Sequence, residues 1–238
     1  MKLKEMRENN FIYVGPSWAA LSYPETDTPI TNLLEQWKLS AINYSKRGAR
    51  NLDFIRQPCY TIDRPCVWLF CEPLVEIFKG VKNPQWDDRD YEKINQYLTV
   101  ENHREFHQIL KREQLIQMNS LGYPIGLIGA HCDVNETDIE GLNNLKIIHP
   151  SWQQWMKSQI EITNNSMNFG AEVANNIMVE SSKKPNEILV NDIWDQYEVW
   201  KKLEEGDLFW KTHPNKRSNI MFAEHTKNLV LNFLREVL

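Results

Sequence analysis

Two short segments, Cys66-Val-Trp-Leu-Phe-Cys71 and Ile125-Gly-Leu-Ile-Gly-Ala130, contain no polar side chain before their last residues and are far too short to be buried helices. A strand with one wet face alternates polar and apolar residues, so unbroken runs of this length must be covered on both faces. Such strands belong to parallel sheets, whose crossover connections lay helices on either side. Phe11-Ile-Tyr-Val14, stopped by Gly15-Pro16, is a third strand of this kind, and Ser40–Tyr44 and Leu145–Ile148 complete a set of five.

The segments between the strands have helical spacing. Thr28 and Pro29 form a cap and first-turn pair ahead of Ile30, Leu33, Leu34 and Trp37. Asn51–Arg56 is a short helix. Asp87–Ser120 is polar and helix-favouring, with Phe106, Ile109, Leu110, Leu115 and Ile116 as its inner face and Gly122 as its stop. After the fifth strand the chain turns helical through Trp152, Trp155 and Met156, then Ala171–Ser181, then Val190, Ile193, Trp194, Tyr197 and Trp200. Ser218–Leu238 closes the chain and carries Phe222, Leu229, Val230, Phe233 and Val237. The expected fold is α/β: one three-layer α/β/α domain over residues 1–238, with a flavodoxin-like five-stranded parallel sheet and a helical insertion around 150–206.

Composition removes several alternatives. With 238 residues, nine Trp, eight Tyr and nine Phe, the chain can bury a sizeable core. No uncharged apolar run approaches the length of a membrane span, and MKLKEMRENN lacks the apolar stretch of a signal peptide, so a soluble, cytoplasmic protein is expected. A net charge of −5 argues against nucleic acid as partner. The cysteines Cys59, Cys66, Cys71 and Cys132 form no C-x-x-C pair and are expected as buried free thiols. No G-x-G-x-x-G or Walker-type loop occurs, and no cofactor is expected.

In a parallel sheet the ligand lies beyond the carboxyl ends of the strands, so chemistry is sought immediately after each one. Ser17 follows strand one in Gly15-Pro16-Ser17-Trp18, where a hydroxyl on a strand-to-helix turn can face a cleft. His213, in Thr212-His213-Pro214-Asn215, precedes the last amphipathic helix as a candidate general base, and Asp207 lies close enough in sequence to orient it.

These blocks resemble the SGNH/GDSL hydrolase superfamily, which places a nucleophilic serine after the first strand and a catalytic histidine before the last helix. Phe11–Ala19 is similar to the family's first block and His213–Glu224 to its fifth. Asn43-Tyr-Ser45-Lys-Arg-Gly48 is similar to the second, whose glycine contributes an oxyanion N–H. The resemblance implies a serine esterase acting on a small ester, an O-acyl carbohydrate or lipid. Ser17 and His213 would be its catalytic pair, Asp207 the acid, and the N–H groups of Ser17 and Gly48 the oxyanion donors. The chain departs from the pattern at three positions. Pro16 replaces the family's Asp, Glu72 stands near its oxyanion-hole Asn, and Trp210 stands three residues before His213 where Asp is usual.

Trp18 and Asn51 are further candidates for lining the substrate cleft, with Trp18 as the wall of an acyl or sugar pocket. His131, in Ala130-His131-Cys132-Asp133 after strand four, is another. His103 and His107 share a helical face, but Glu105 is one position away from a zincin arrangement, and no metal site is expected there or in the 130–133 loop. Two alternatives to an esterase follow from the same residues. Pro16, Glu72 and Trp210 suit an SGNH-like module that binds a glycan or a protein partner without catalysis, and the aromatic residues of Trp152–Gly206 suit an oligomer interface.

Overall fold

The computed structural model describes residues 11–16, 18–20, 39, 41–46, 49, 51–56, 64–71, 100–130, 132–159, 208–210 and 213–238. Five parallel strands, β1 (Phe11–Val14), β2 (Ala41–Asn43), β3 (Cys66–Phe70), β4 (Ile125–Gly129) and β5 (Leu145–His149), form one sheet in the order β2-β1-β3-β4-β5. This is the expected α/β architecture, and the strand order reverses between β1 and β3. The described helices are α1 (Asn51–Ile55), α2 (Val100–Asn119), α3 (Trp152–Gln159) and α4 (Lys216–Val237). None of them is long and apolar enough to cross a membrane.

Strand alternation sorts the core into two layers. Phe11, Tyr13, Val67, Leu69, Ile128 and Ile148 face Trp152, Met156 and the inner stripe of α4. Ile12, Val14, Trp68, Phe70, Ile125 and Leu127 face Phe54 of α1 and Leu115 and Met118 of α2. Helices therefore cover both faces, which is why β1 and β3 are buried at every position.

Glycines decide how closely the layers approach. A Cβ on Gly126 would lie 2.4 Å from Ile148 Cδ1 and 2.9 Å from Phe233 Cδ1, so its absence lets α4 settle onto β4. Gly122 ends the α2 region with φ 78°, the left-handed stop that its position after the helix predicts.

The inner face of α2 differs from the sequence expectation. Ile109 and Ile116 are 52% and 42% exposed, while Lys111, Gln114, Leu115 and Met118 turn inward. Two polar residues can occupy that stripe because each has a polar partner there. Lys111 Nζ is 2.6 Å from Asp138, and Gln114 Oε1 accepts from Asn51. Leu229 of α4 is likewise exposed. The segment from 150 onward opens with α3 as part of the main core, since Trp152 and Met156 are fully buried. The helices expected at Thr28–Trp37, Ala171–Ser181 and Val190–Trp200 lie outside the described residues.

Candidate functional site

The β1 strand ends against its neighbour. At Gly15 a Cβ would come within 2.6 Å of Ala19 Cβ and 2.8 Å of Leu69 Cβ, so only glycine lets the chain fold back here. Pro16 cannot donate a hydrogen bond, but its carbonyl accepts from the N–H groups of Ala19 and Ala20 at 2.9 and 3.1 Å. A turn is thus built on the acceptor side of Pro16. The end of β2 runs alongside, with Lys46 N–H donating to the Gly15 carbonyl at 3.2 Å.

At the other side of this corner, β6 (Phe209–Trp210) and β7 (His213–Pro214) form a small antiparallel pair that sequence periodicity did not predict. The pair sets the His213 backbone opposite Trp210. Asn215 then caps α4: its N–H donates to the Leu208 carbonyl at 3.0 Å, and its Oδ1 accepts from Ser218 N–H at 2.9 Å. The signal was present as Pro214-Asn215 ahead of the helix, which starts two residues earlier than Ser218.

Trp152 joins the two sides. Its indole N–H donates to Ser218 Oγ at 3.3 Å, its ring stacks on Phe222 at 4.6 Å, and Trp18 meets its edge at 5.8 Å. The segment flanking Ser17 and the segment flanking His213 therefore converge on one indole at the carboxyl end of the sheet. Trp18 is only 6% exposed and packs in the core, so the described structure gives it a supporting position rather than an open wall.

Asn51 is also turned inward. Its amide hydrogens go to the Cys71 carbonyl at 2.9 Å and Gln114 Oε1 at 2.7 Å, and its oxygen accepts from Cys71 N–H and Trp68 Nε1. With every amide position committed, Asn51 latches the end of β3 to α1 and α2 instead of presenting an edge to a ligand. Glycine and proline patterns mark turns, but nothing local marks such a latch, because its partners lie 17 to 63 residues away.

At the end of β5, His149 is 9% exposed and its Nδ1 accepts from Ser151 N–H at 3.2 Å. Ser151 Oγ in turn accepts from Gln154 N–H at the start of α3. Burial, with the neighbouring His225 adding to it, pushes the His149 pKa down to about 4, so the ring is neutral and carries its hydrogen on Nε2. Burial also lowers the pKa of Lys157 in the last turn of α3, against the opposing pull of the Asp133 carboxylate. The Tyr13 hydroxyl is buried without a hydrogen-bond partner among the described residues, and burial, then Cys66, holds it protonated.

Ser17, Gly48, Glu72, His131 and Asp207 lie outside the described residues, as does the side chain of His213. Cys66, Cys71 and Cys132 are buried free thiols, as expected, and Cys59 lies outside the described set. No protein-family model, no curated protein and no solved structure matches the chain.

Proposed function

We propose that the protein is an SGNH-like serine esterase that cleaves a small ester at the carboxyl end of the sheet, an O-acyl carbohydrate or a lipid. The observation that supports this reading is the convergence of the Gly15–Trp18 turn and the His213–Ser218 segment on Trp152. The turn after β1 lies where the strand order reverses, the crevice in which open parallel sheets take their ligands.

In this reading Ser17 Oγ attacks the ester carbonyl as His213 takes its proton. The N–H groups of Ser17 and Gly48 stabilise the oxyanion, and Asp207 supports the imidazolium. His213 then returns the proton to the departing alcohol, and water releases the acyl group from Ser17 by the reverse sequence. The rigid turn at Gly15 and the capped start of α4 are the kind of support a preorganised pair requires.

A second reading is favoured by Glu72, which follows directly on Cys71 at the end of β3. A carboxylate near a developing oxyanion opposes it, so a module that binds a glycan or protein partner without turnover fits this departure.

Intact-mass analysis after incubation with a fluorophosphonate separates the two. One adduct, lost in Ser17→Ala and slowed in His213→Ala, is the outcome expected of the esterase. A folded protein that takes no adduct, or whose adduct survives Ser17→Ala, overturns it.

A further inference from the structure

We propose that the contact between His149 and Ser151 is an acid-sensitive latch: a proton taken up on His149 Nδ1 releases the start of α3, and with it Trp152, from the carboxyl end of the sheet. The latch is independent of the esterase reading. His149 Nδ1 accepts from Ser151 N–H at 3.2 Å, a side-chain bond to the backbone two residues on, of the kind an Asx turn makes. A neutral ring with its hydrogen on Nε2 has one lone pair left to take a proton, and it is this one. Protonation therefore sets an N–H against an N–H, and the hydrogen bond that positions Ser151 becomes a repulsive contact.

Ser151 holds the first turn of α3. Its Oγ accepts from Gln154 N–H and its carbonyl from Trp155 N–H, each at 3.1 Å, so Ser151 is the N-cap of the helix. Gln153 N–H donates to the Ala130 carbonyl at 3.0 Å and ties the same turn to the end of β4. Trp152 lies between these bonds and carries the contacts to Ser218, Phe222 and Trp18. A change at His149 is thus passed through one capping residue to the indole on which the corner is built.

The surroundings of the ring oppose the proton as well. Phe222 and His225 meet His149 at 5.0 and 5.2 Å, and Trp155 stacks on His225 at 5.5 Å, so β5, α3 and α4 join in one cluster of rings. Among the described residues His225 is the titratable group that acts on His149, and its charge opposes a second one beside it. Glu224 and Lys227 of α4 lie about 100° or more around the helix from His225. Lys157 of α3 interacts with Asp133, β4 sets the apolar Ile128 opposite His149, and Lys146 on β5 is paired with Glu236. With α3 released, the ring regains solvent and takes the proton at its ordinary value, so acidification below neutral favours the open state.

The test is hydrogen–deuterium exchange of the full chain at about pH 7 and about pH 5, corrected for the intrinsic rate at each pH. Protection of the amides of Ser151–Trp155 is expected to fall about tenfold at the lower pH, through the linkage of one shifted histidine, while the amides of β3 and β4 keep theirs. His149→Asn, whose side-chain oxygen accepts from Ser151 N–H without titrating, should abolish the fall, and His225→Asn, at an exposed position, should reduce it. Equal protection of Ser151–Trp155 at the two pH values, a fall that persists in folded His149→Asn, or a fall shared in full by β3 and β4 overturns the proposal.

Discussion

Trp152 donates its indole N–H to Ser218 Oγ across 66 residues of sequence, while Ser218 donates its own backbone N–H to the cap residue Asn215. One ring thereby ties the start of α3 to the start of α4, directly behind the turn that follows β1. Trp152→Phe keeps the stacking surface against Phe222 and loses the hydrogen bond, at a cost of about 1 kcal/mol. Trp152→Ala also opens a core cavity and is expected to cost about 3–5 kcal/mol. Urea unfolding measures both. If the esterase reading holds, fluorophosphonate labelling of Trp152→Phe slows more than its small loss of stability explains.

Asn51→Ala removes five hydrogen bonds at once, those to the Cys71 N–H, carbonyl and thiol, the Trp68 indole and the Gln114 amide, all in the core. A buried polar group that loses its partner costs about 1–3 kcal/mol, so the loss should exceed that of an ordinary polar-to-alanine change. Gln114→Ala removes one of these bonds. A double-mutant cycle in urea is expected to return a coupling of about 1 kcal/mol or more between the two. Additive losses would show that the latch does not act as a unit.

His149 makes stability depend on pH in a definite direction. Its folded value of about 4 lies below the ordinary 6.5, so the fold favours the neutral ring. Above pH 6.5 neither state holds the proton and the contribution is complete. As the pH falls from 6.5 to 4 the unfolded chain gains a proton that the folded chain refuses, and stability is lost; below 4 the loss levels off. Allowing for solvent screening at the exposed side of the ring, the loss is on the order of 1–2 kcal/mol. His149→Asn retains an acceptor for Ser151 N–H without the titration. Thermal unfolding of the two proteins should diverge across that window and run parallel above it.

Two glycines separate contact from backbone conformation. Gly129 has no unusual φ, but a Cβ there would lie 2.0 Å from the Pro150 carbonyl oxygen. Backbone must move to admit it, and Gly129→Ala is expected to lower stability by about 3 kcal/mol or more. Gly122 has φ 78° and nothing within 4 Å of a Cβ, so Gly122→Ala costs only the left-handed conformation, about 1 kcal/mol. Denaturant midpoints of the two variants should rank in that order.

The strands were legible because burial on both faces imposes a composition that no other element of that length shares. Cys66–Phe70 and Ile125–Gly129 appear where their unbroken apolar runs predict them. The start of α4 was readable to within two residues from Pro214-Asn215. The phase of α2 was not, since Ile109 and Ile116 fit a helical stripe as well as Leu115 and Met118 do. That choice turned on whether Lys111 and Gln114 could find polar partners, and those partners, Asp138 and Asn51, come from other segments.

The candidate sites divide along the same line. Local sequence determined which residue types follow each strand, because a strand's end is set by its own glycine or proline, as at Gly15-Pro16. Which of those residues meet was decided by the tertiary structure. His107 and Cys132 lie 3.8 Å apart because α2 packs over the end of β4, and Trp152 comes between Trp18 and Ser218 because α3 and α4 share one face of the sheet. Periodicity encodes which face of an element is buried; the neighbour that buries it is settled only when all the layers close on a common core.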